Sequence, residues 1–174
     1  MLRMKDEIIS VDSRFSAKLR IAEKPGPLRN LAILLAHSGD SPLWLAGLLL
    51  VWWRGSAFWR HETWLDLIGV LVTAILVQAM KLAFRRRRPA GEWGQGYRKI
   101  DPHSFPSGHA ARAAMLAVVA VALGPAWWAA LLLAWAPLVA LARVAMGVHY
   151  VSDVAAGAVC GLACGVAVLT LLPA

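Results

Sequence analysis

Charged residues are scarce in this sequence. Only 16% of the 174 residues are Asp, Glu, Lys or Arg, whereas 59% are hydrophobic, and the mean hydropathy is +0.59. Soluble globular domains usually carry about 25% charged residues. The composition therefore argues against a soluble enzyme with a single core and favours a membrane protein.

Acidic residues are fewer than basic residues. The chain has 10 Asp and Glu against 18 Lys and Arg, which gives a formal net charge of +8 at pH 7. In so apolar a chain this excess suits anionic membrane lipids or an anionic substrate, so we expect no nucleic-acid partner. The sequence also lacks a cluster of carboxylates, and we expect neither a metal ion nor another cofactor.

Cysteine is nearly absent. Cys160 and Cys164 lie four residues apart in an apolar helical run, where the helix backbone disfavours a bridge between them, so we expect both to pack as small apolar side chains. The first 30 residues contain no uninterrupted apolar stretch followed by a small-residue cleavage site, so we expect no cleaved signal peptide.

Long apolar runs make up most of the remaining chain. They predict an all-α fold, a polytopic membrane bundle of five or six transmembrane helices. The runs cover residues 28–53, 64–84, 110–142 and 154–172. Polar residues interrupt the first run, which is one span or two, and Gly124-Pro125 divides the third into two helices.

The sequence divides into two parts at the first proline cluster. Residues 1–27 are polar and loosely amphipathic up to Pro25-Gly26-Pro27, which predicts an N-terminal interfacial segment lying on the membrane surface. Residues 28–174 are predicted to form the integral membrane domain.

The span count determines which polar segments share a side of the membrane. With five spans, the N-terminus, the loop at 85–108 and the junction at 143–152 lie together, and their excess of Lys and Arg predicts the cytoplasmic face of the cell (inner) membrane. A sixth span within residues 28–53 would move the N-terminus to the other side.

Two of the polar segments provide groups that can hold an anion. Lys81 and Arg88 are seven residues apart, close to two helical turns, which predicts that they share a helix face. Ser107 can cap the helix that follows, and the amides of Gly108 and His109 then point outward at its positive end.

The third segment carries a histidine paired with an acid. His149 and Asp153 are i and i+4, so in a helix the carboxylate can hold one ring nitrogen and leave the other free to attack. Arg143 precedes them by a few residues. With His109 as proton donor, the three segments together predict a metal-independent catalytic site for phosphoryl transfer.

These segments resemble the signatures of the type-2 phosphatidic acid phosphatase (PAP2) superfamily, which are Lys-x6-Arg-Pro, Pro-Ser-Gly-His and Ser-Arg-x5-His-x3-Asp. The order and inner spacings match over residues 81–153. One position departs from the pattern, because Ala142 stands where the family has Ser before Arg143. That Ser is a supporting hydrogen-bond donor, so the departure concerns the positioning of Arg143 more than the reaction class.

The resemblance implies a PAP2/haloperoxidase-like core and a role for each matching residue. It implies that His149 attacks phosphorus to form a phosphohistidine, that Asp153 orients it, and that His109 protonates the leaving group and later activates water. The residues implied to bind the nonbridging oxygens of the substrate are Lys81, Arg88, Ser107, Gly108 and Arg143.

The expected activity is hydrolysis of a phosphomonoester or pyrophosphate on a membrane lipid. Candidate substrates are phosphatidic acid, phosphatidylglycerol phosphate, undecaprenyl pyrophosphate, a lipid A phosphate and a polyprenyl phosphosugar phosphate. One alternative is a vanadium haloperoxidase-like enzyme, although those proteins are soluble and much larger. Another is a noncatalytic membrane binder or transporter that retains the fold, which would not need both histidines.

Other polar residues receive structural interpretations. Arg85, Arg86 and Arg87 could be site residues, but a basic run next to a span is usually an anchor at lipid headgroups that also sets topology, and we favour that interpretation. Asp101 and His103 are interpreted as residues that structure the loop or lie at the rim of the site, and His37 and Asp40 as an interruption or interfacial cap within an apolar run.

Overall fold

The computed structural model describes residues 2–91 and 93–172, and the described secondary structure is helical, which confirms the all-α prediction. Within these residues the only β-type pairing is an isolated bridge between Arg87 and His103. The helices are α1 (Leu2–Lys18), α2 (Pro27–Ser38), α3 (Ser41–Arg54), α4 (Ala57–Phe84), α5 (Gln95–Ile100), α6 (Gly108–Leu123), α7 (Ala126–Ala145) and α8 (Val151–Leu171).

Three helices, α4, α7 and α8, are long and apolar enough to cross a membrane. Helices α2 and α3 meet at a 56° bend and would make a fourth crossing if they form one broken span, while α6 is apolar but shorter. The predicted count of five or six therefore stays a prediction. Helix α4 begins at Ala57, seven residues before the apolar run at 64–84, so only Gly55 and Ser56 separate it from α3.

Helix α6 forms the centre of the bundle. Ten of its 16 residues are buried, and it packs against α4, α7 and α8. As predicted, Gly124 and Pro125 separate it from α7, because α6 ends at Leu123 and α7 begins at Ala126. Cys164 lies in the same core, and both cysteines are free thiols.

A stripe of glycines on α8 lets this helix approach α6 closely. A Cβ added at Gly157 or Gly161 would collide with a backbone carbonyl oxygen of the α6 segment, and one at Gly165 would lie 2.7 Å from Val118 Cβ. Small residues at four-residue intervals are typical of close helix contacts in membranes. The contact brings the N-terminal ends of α6 and α8 side by side.

Helix α1 lies within the segment predicted to rest on the membrane surface. Val11, Phe15 and Leu19 are exposed along one side, while Asp12 and Ser16 face α8. The exposed apolar stripe is what the interfacial prediction requires. The interfacial position itself stays a prediction.

Candidate active site

A cavity of about 300 Å³ lies where α4, α6 and the polar connections meet. Six of the eight predicted site residues line it: Lys81, Arg88, Gly108, His109, Arg143 and His149. The other two, Ser107 and Asp153, are fully buried next to this lining. The structure thus brings the three predicted segments to one place.

His149 occupies the turn between α7 and α8 and is only 1% exposed. Its Nε2 is 3.1 Å from Arg88 Nη1, and its Nδ1 is 3.5 Å from Asp153 Oδ2. Burial, together with the nearby cations Arg88 and Arg143, lowers the pKa of His149 well below its ordinary value. The ring is therefore neutral near pH 7, which is the form that can act as a nucleophile.

The His149 and Asp153 pair is close for a different reason from the predicted one. Helix α8 begins at Val151, so His149 lies before the helix and the two residues do not share a helical face. Asp153 instead lies in the first turn, where its Oδ2 accepts a hydrogen bond of 2.8 Å from the Tyr150 amide. The acid thus stabilises the start of α8 and faces the imidazole at the same time.

Lys81 and Arg88 also meet without sharing a helix. Helix α4 ends at Phe84, and Arg85 adopts the left-handed conformation with φ 47°, so Arg88 lies beyond the helix end. The prediction of a common helix face is wrong, but both side chains line the cavity.

The carboxylate of Asp101 bridges these two cations. Its Oδ2 accepts from Arg88 Nη2 at 2.8 Å and from Lys81 Nζ, and its backbone carbonyl accepts from Arg88 Nε at 2.7 Å. Asp101 lines the cavity, as the rim interpretation allows, and its charge lies at the cations predicted to bind phosphate. The separation of 13 and 20 residues from its partners explains why the sequence pattern gave no signal.

The Ser107–His109 segment opens α6 as predicted. Ser107 is the N-cap, and its Oγ accepts from the Ala110 amide at 3.5 Å. A Cβ added at Gly108 would meet only Val77 Cγ1, at 3.5 Å, so the glycine leaves the helix terminus open to the cavity. This exposed terminus suits an oxyanion.

His109 has an acidic partner that sequence reasoning missed. Its Nε2 is 2.7 Å from Asp40 Oδ1, and Asp40 Oδ2 is 2.9 Å from His37 Nδ1. His37 and Asp40 do interrupt the apolar run between α2 and α3, as predicted. Asp40 also orients His109, and the available signal was an acid placed within an apolar run.

Two buried arginines fix the bend between α2 and α3. Arg143, 1% exposed at the end of α7, places Nη1 3.5 Å from the Ala36 carbonyl oxygen. Arg112 of α6 donates to Ser41 Oγ at 2.6 Å and to the Gly39 carbonyl. These bonds hold Asp40 beside His109.

Arg86 differs from its neighbours in the arginine run. Its Nη1 donates to Asp153 Oδ1 at 2.7 Å, and its Nη2 donates to Asp12 Oδ2 at 2.6 Å. Arg85 and Arg87 are exposed, whereas Arg86 is partly buried. The headgroup-anchor interpretation therefore does not describe Arg86.

Comparison with known proteins identifies the family. The model of the PAP2 superfamily matches residues 63–174, a region that contains all eight predicted site residues. The chain belongs to the PAP2 superfamily. Together with its apolar helices, this membership makes it an integral membrane protein.

Curated relatives of this PAP2 protein are named as phosphatases. The probable lipid phosphate phosphatase beta of Arabidopsis thaliana is 31% identical over 89% of this chain and 85% of its own length. The lipid A 1-phosphatase of Rhizobium johnstonii is 27% identical over 82% of this chain and 67% of its own length.

Two solved structures share the fold. Aquifex aeolicus LpxE has a TM-score of 0.69 and 25% identity, covering 86% of this chain and 90% of its own. A PAP2 type phosphatidylglycerolphosphate phosphatase from Bacillus subtilis has a TM-score of 0.73 and 24% identity, covering 95% of this chain and 86% of its own. The second similarity is evidence for the fold alone.

Proposed function

We propose that this PAP2 protein is a membrane lipid phosphatase that hydrolyses a phosphomonoester or pyrophosphate through a phosphohistidine at His149. The observation that carries the proposal is the convergence of the segments at 81–89, 106–109 and 143–153 on one cavity. The phosphatase relatives and the family match support the same reaction class.

The first step is attack by His149 Nε2 on the phosphorus atom. The new P–N bond forms as the P–O bond to the lipid breaks, and its electron pair passes to the leaving oxygen. His109 donates a proton to that oxygen. Asp40 Oδ1, 2.7 Å from His109 Nε2, and the anionic phosphoryl group favour the charged imidazolium needed for this donation, against the burial and the charge of Arg143 that oppose it. Asp153 faces Nδ1 and stabilises the positive charge that develops on His149.

The second step releases inorganic phosphate. His109, now neutral, removes a proton from a water molecule as that water attacks the phosphohistidine. The P–N bond breaks, and its electron pair returns to Nε2. This sequence restores both histidines to their starting forms and balances the protons of hydrolysis.

The cavity cations stabilise the charge on the phosphoryl oxygens. Lys81, Arg88 and Arg143 line the same space as His149, and the N-terminus of α6 adds backbone donors. Removing one such preorganised donor typically costs about 2.7 to 4 kcal/mol of transition-state stabilisation, which is about a hundredfold or more in rate.

An apolar wall beside the cations suits a lipid. Val70, Ala74 and Val77 of α4 line the cavity that also contains Lys81, so a hydrocarbon chain can lie along α4 while its headgroup reaches His149. The name of the Rhizobium relative makes lipid A phosphate a candidate, and phosphatidylglycerol phosphate is a candidate from the family resemblance. Phosphatidic acid and undecaprenyl pyrophosphate complete the panel.

We further propose a site on the cytoplasmic face of the inner membrane. Helix α1, the segment at Arg86 and the start of α8 are in direct contact, which supports their location on one side. An even number of crossings must then separate α1 from Arg86, which fits α2 and α3 forming one broken span followed by α4. The excess of basic residues on this side supports the cytoplasm.

The test is phosphate release by the purified protein in detergent, with EDTA present and the four candidate lipids as substrates. We expect the wild type to hydrolyse at least one lipid, His149→Ala to lose the activity, and His61→Ala, at an exposed position, to retain it. Denaturation with detergent at alkaline pH, after mixing with a ³²P-labelled substrate, should trap a phosphoprotein in the wild type only, and its label should be lost on later treatment with acid.

Three results would contradict this assignment. Equal release by the wild type and His149→Ala would exclude His149 as the nucleophile. Binding of the lipids without phosphate release would favour the noncatalytic binder, and halide oxidation dependent on added vanadate would favour the haloperoxidase-like alternative.

A further inference from the structure

The side chain of Arg86 connects three separate parts of the chain. Its Nη1 donates to Asp153 Oδ1 at 2.7 Å and to Ser152 Oγ at 2.6 Å, both at the start of α8. Its Nη2 donates to Asp12 Oδ2 of α1 at 2.6 Å. The guanidinium carbon also lies 4.0 Å from the centre of the Tyr150 ring. The planar fork of arginine can satisfy two carboxylates at once, which the single ammonium of lysine cannot do at the same distances.

These bonds determine the orientation of the Asp153 carboxylate. Asp153 is fully buried, so each oxygen needs a partner within the protein. Arg86 bonds Oδ1, and the Tyr150 amide bonds Oδ2, which leaves Oδ2 facing His149 Nδ1 at 3.5 Å. Ser104 also contacts the carboxylate. Without the guanidinium, Oδ1 would lose its charged donor and the carboxylate could rotate away from the imidazole.

Helix α1 contacts both Arg86 and the first residues of α8. Asp12 Oδ1 accepts from the Ser152 amide at 3.2 Å, and Ser16 Oγ accepts from the Val151 amide at 3.0 Å. The first amides of a helix have no partner within it, so α1 caps the start of α8 from outside. Although burial opposes it, bonding to Ser152 and Arg86 lowers the pKa of Asp12, and the ionised carboxylate holds Arg86 in place.

We propose that Arg86 is a positioning residue for the phosphatase reaction, acting on His149 through Asp153 and held in place by Asp12. The inference rests on the proposed function of His149 and Asp153. Arg86 lies between Lys81 and Arg88 at a position that the family pattern leaves unspecified, so the motif does not assign it a role.

The test compares two adjacent arginines that carry the same charge. Arg86→Gln and Arg87→Gln each remove one positive charge from the same run, but only Arg86 contacts Asp153. For Arg86→Gln we expect kcat to fall on the order of tenfold to a hundredfold, by analogy with the loss seen when hydrogen-bond partners that orient metal-binding histidines are removed. KM should change less than about threefold, because Arg86 does not line the cavity. Arg87→Gln should stay within about twofold of the wild type in both constants.

Two further variants separate positioning from general damage to the fold. Arg86→Lys retains the charge but cannot span both carboxylates, so it should recover part of the lost kcat. In an Asp153→Asn background, adding Arg86→Gln should lower kcat by less than about twofold, because the side chain through which Arg86 acts is already neutral. Elution from a size-exclusion column in detergent checks that each variant is folded.

The substrate for these assays is whichever of the four lipids the wild type hydrolyses fastest. Equal losses in Arg86→Gln and Arg87→Gln, a loss confined to KM, or fully additive effects with Asp153→Asn would each overturn the inference. If His149→Ala is inactive while any of these results is found, only the role of Arg86 fails. If His149→Ala retains activity, the proposed function itself fails.

Discussion

Replacing Asp101 with Asn is expected to tighten the binding of phosphate. In the present structure one carboxylate oxygen of Asp101 contacts both Lys81 Nζ and Arg88 Nη2, the cations proposed to hold the substrate. A phosphoryl group must displace this carboxylate before it can bind them. The amide of Asn keeps the shape of the side chain but removes the competing negative charge.

The size of the effect follows from these two contacts. The Asp101 side chain is 33% exposed, so solvent screening reduces each ion pair to about 0.5–1 kcal/mol. Two such contacts amount to about 1–2 kcal/mol, which corresponds to about a five- to thirtyfold change in affinity. The bond from Arg88 Nε to the backbone of residue 101 does not depend on the side chain and should persist.

The assay is inhibition of lipid hydrolysis by inorganic phosphate. We expect both the inhibition constant for phosphate and the KM of the lipid to fall by this factor in Asp101→Asn. Glu23→Gln makes the same change in net charge outside the cavity lining and should leave both constants unchanged. An unchanged or raised inhibition constant in Asp101→Asn would refute the reasoning, because it would mean that the carboxylate helps to form the anion site.

Two other predictions concern the packing of α8 and the charge of His149. Gly161→Ala should lower the thermal unfolding midpoint measured in detergent, because the new Cβ collides with the Ala111 carbonyl oxygen. Gly47→Ala is the control, since the added Cβ meets open space and the midpoint should not change. Equal midpoints for the two variants would show that α6 and α8 can move apart without loss of stability. Because burial and nearby cations such as Arg88 lower the pKa of His149, the ring should stay neutral as the pH falls through about 6.5, the usual value for histidine. Nitrogen NMR of labelled histidines, with His149→Ala used for assignment, should therefore find its midpoint below that pH, and a midpoint at or above it would contradict the buried, cation-lined environment.

Local patterns in the sequence were sufficient for much of the helical architecture. The turn at Gly124-Pro125 separates α6 from α7 as predicted, and Ser107 caps α6, since both features depend on residues within one helical turn. Predictions based on helical spacing were wrong where the predicted end of a helix differs from the observed one. Arg88 lies beyond the end of α4 and His149 before the start of α8, yet both reach the cavity.

The residues that support the site were the ones that local patterns missed. Asp40, Asp101 and Arg86 each contact a predicted site residue that is 13 to 69 positions away in the chain. No periodicity links such positions, because their proximity depends on how the helices pack. For Asp40 and Arg86, a charge within or next to an apolar run was the available signal, and it indicates that a partner exists without identifying it. Asp101 lies in a polar loop, where a charge gives no such signal.

By itself, the amino-acid sequence determined the helical class, the membrane environment and which residues form the candidate site, since composition and short spacings reflect the solvent and local backbone geometry. The tertiary structure alone decided how those residues are held. The glycine stripe of α8 brings its N-terminus next to that of α6. Packing of α1 and of the segment after α4 against the start of α8 places Arg86 within hydrogen-bonding distance of both Asp153 and Asp12. Hydrogen bonds act over about 3 Å, so they report the final packing of the helices and not the order of residues along the chain.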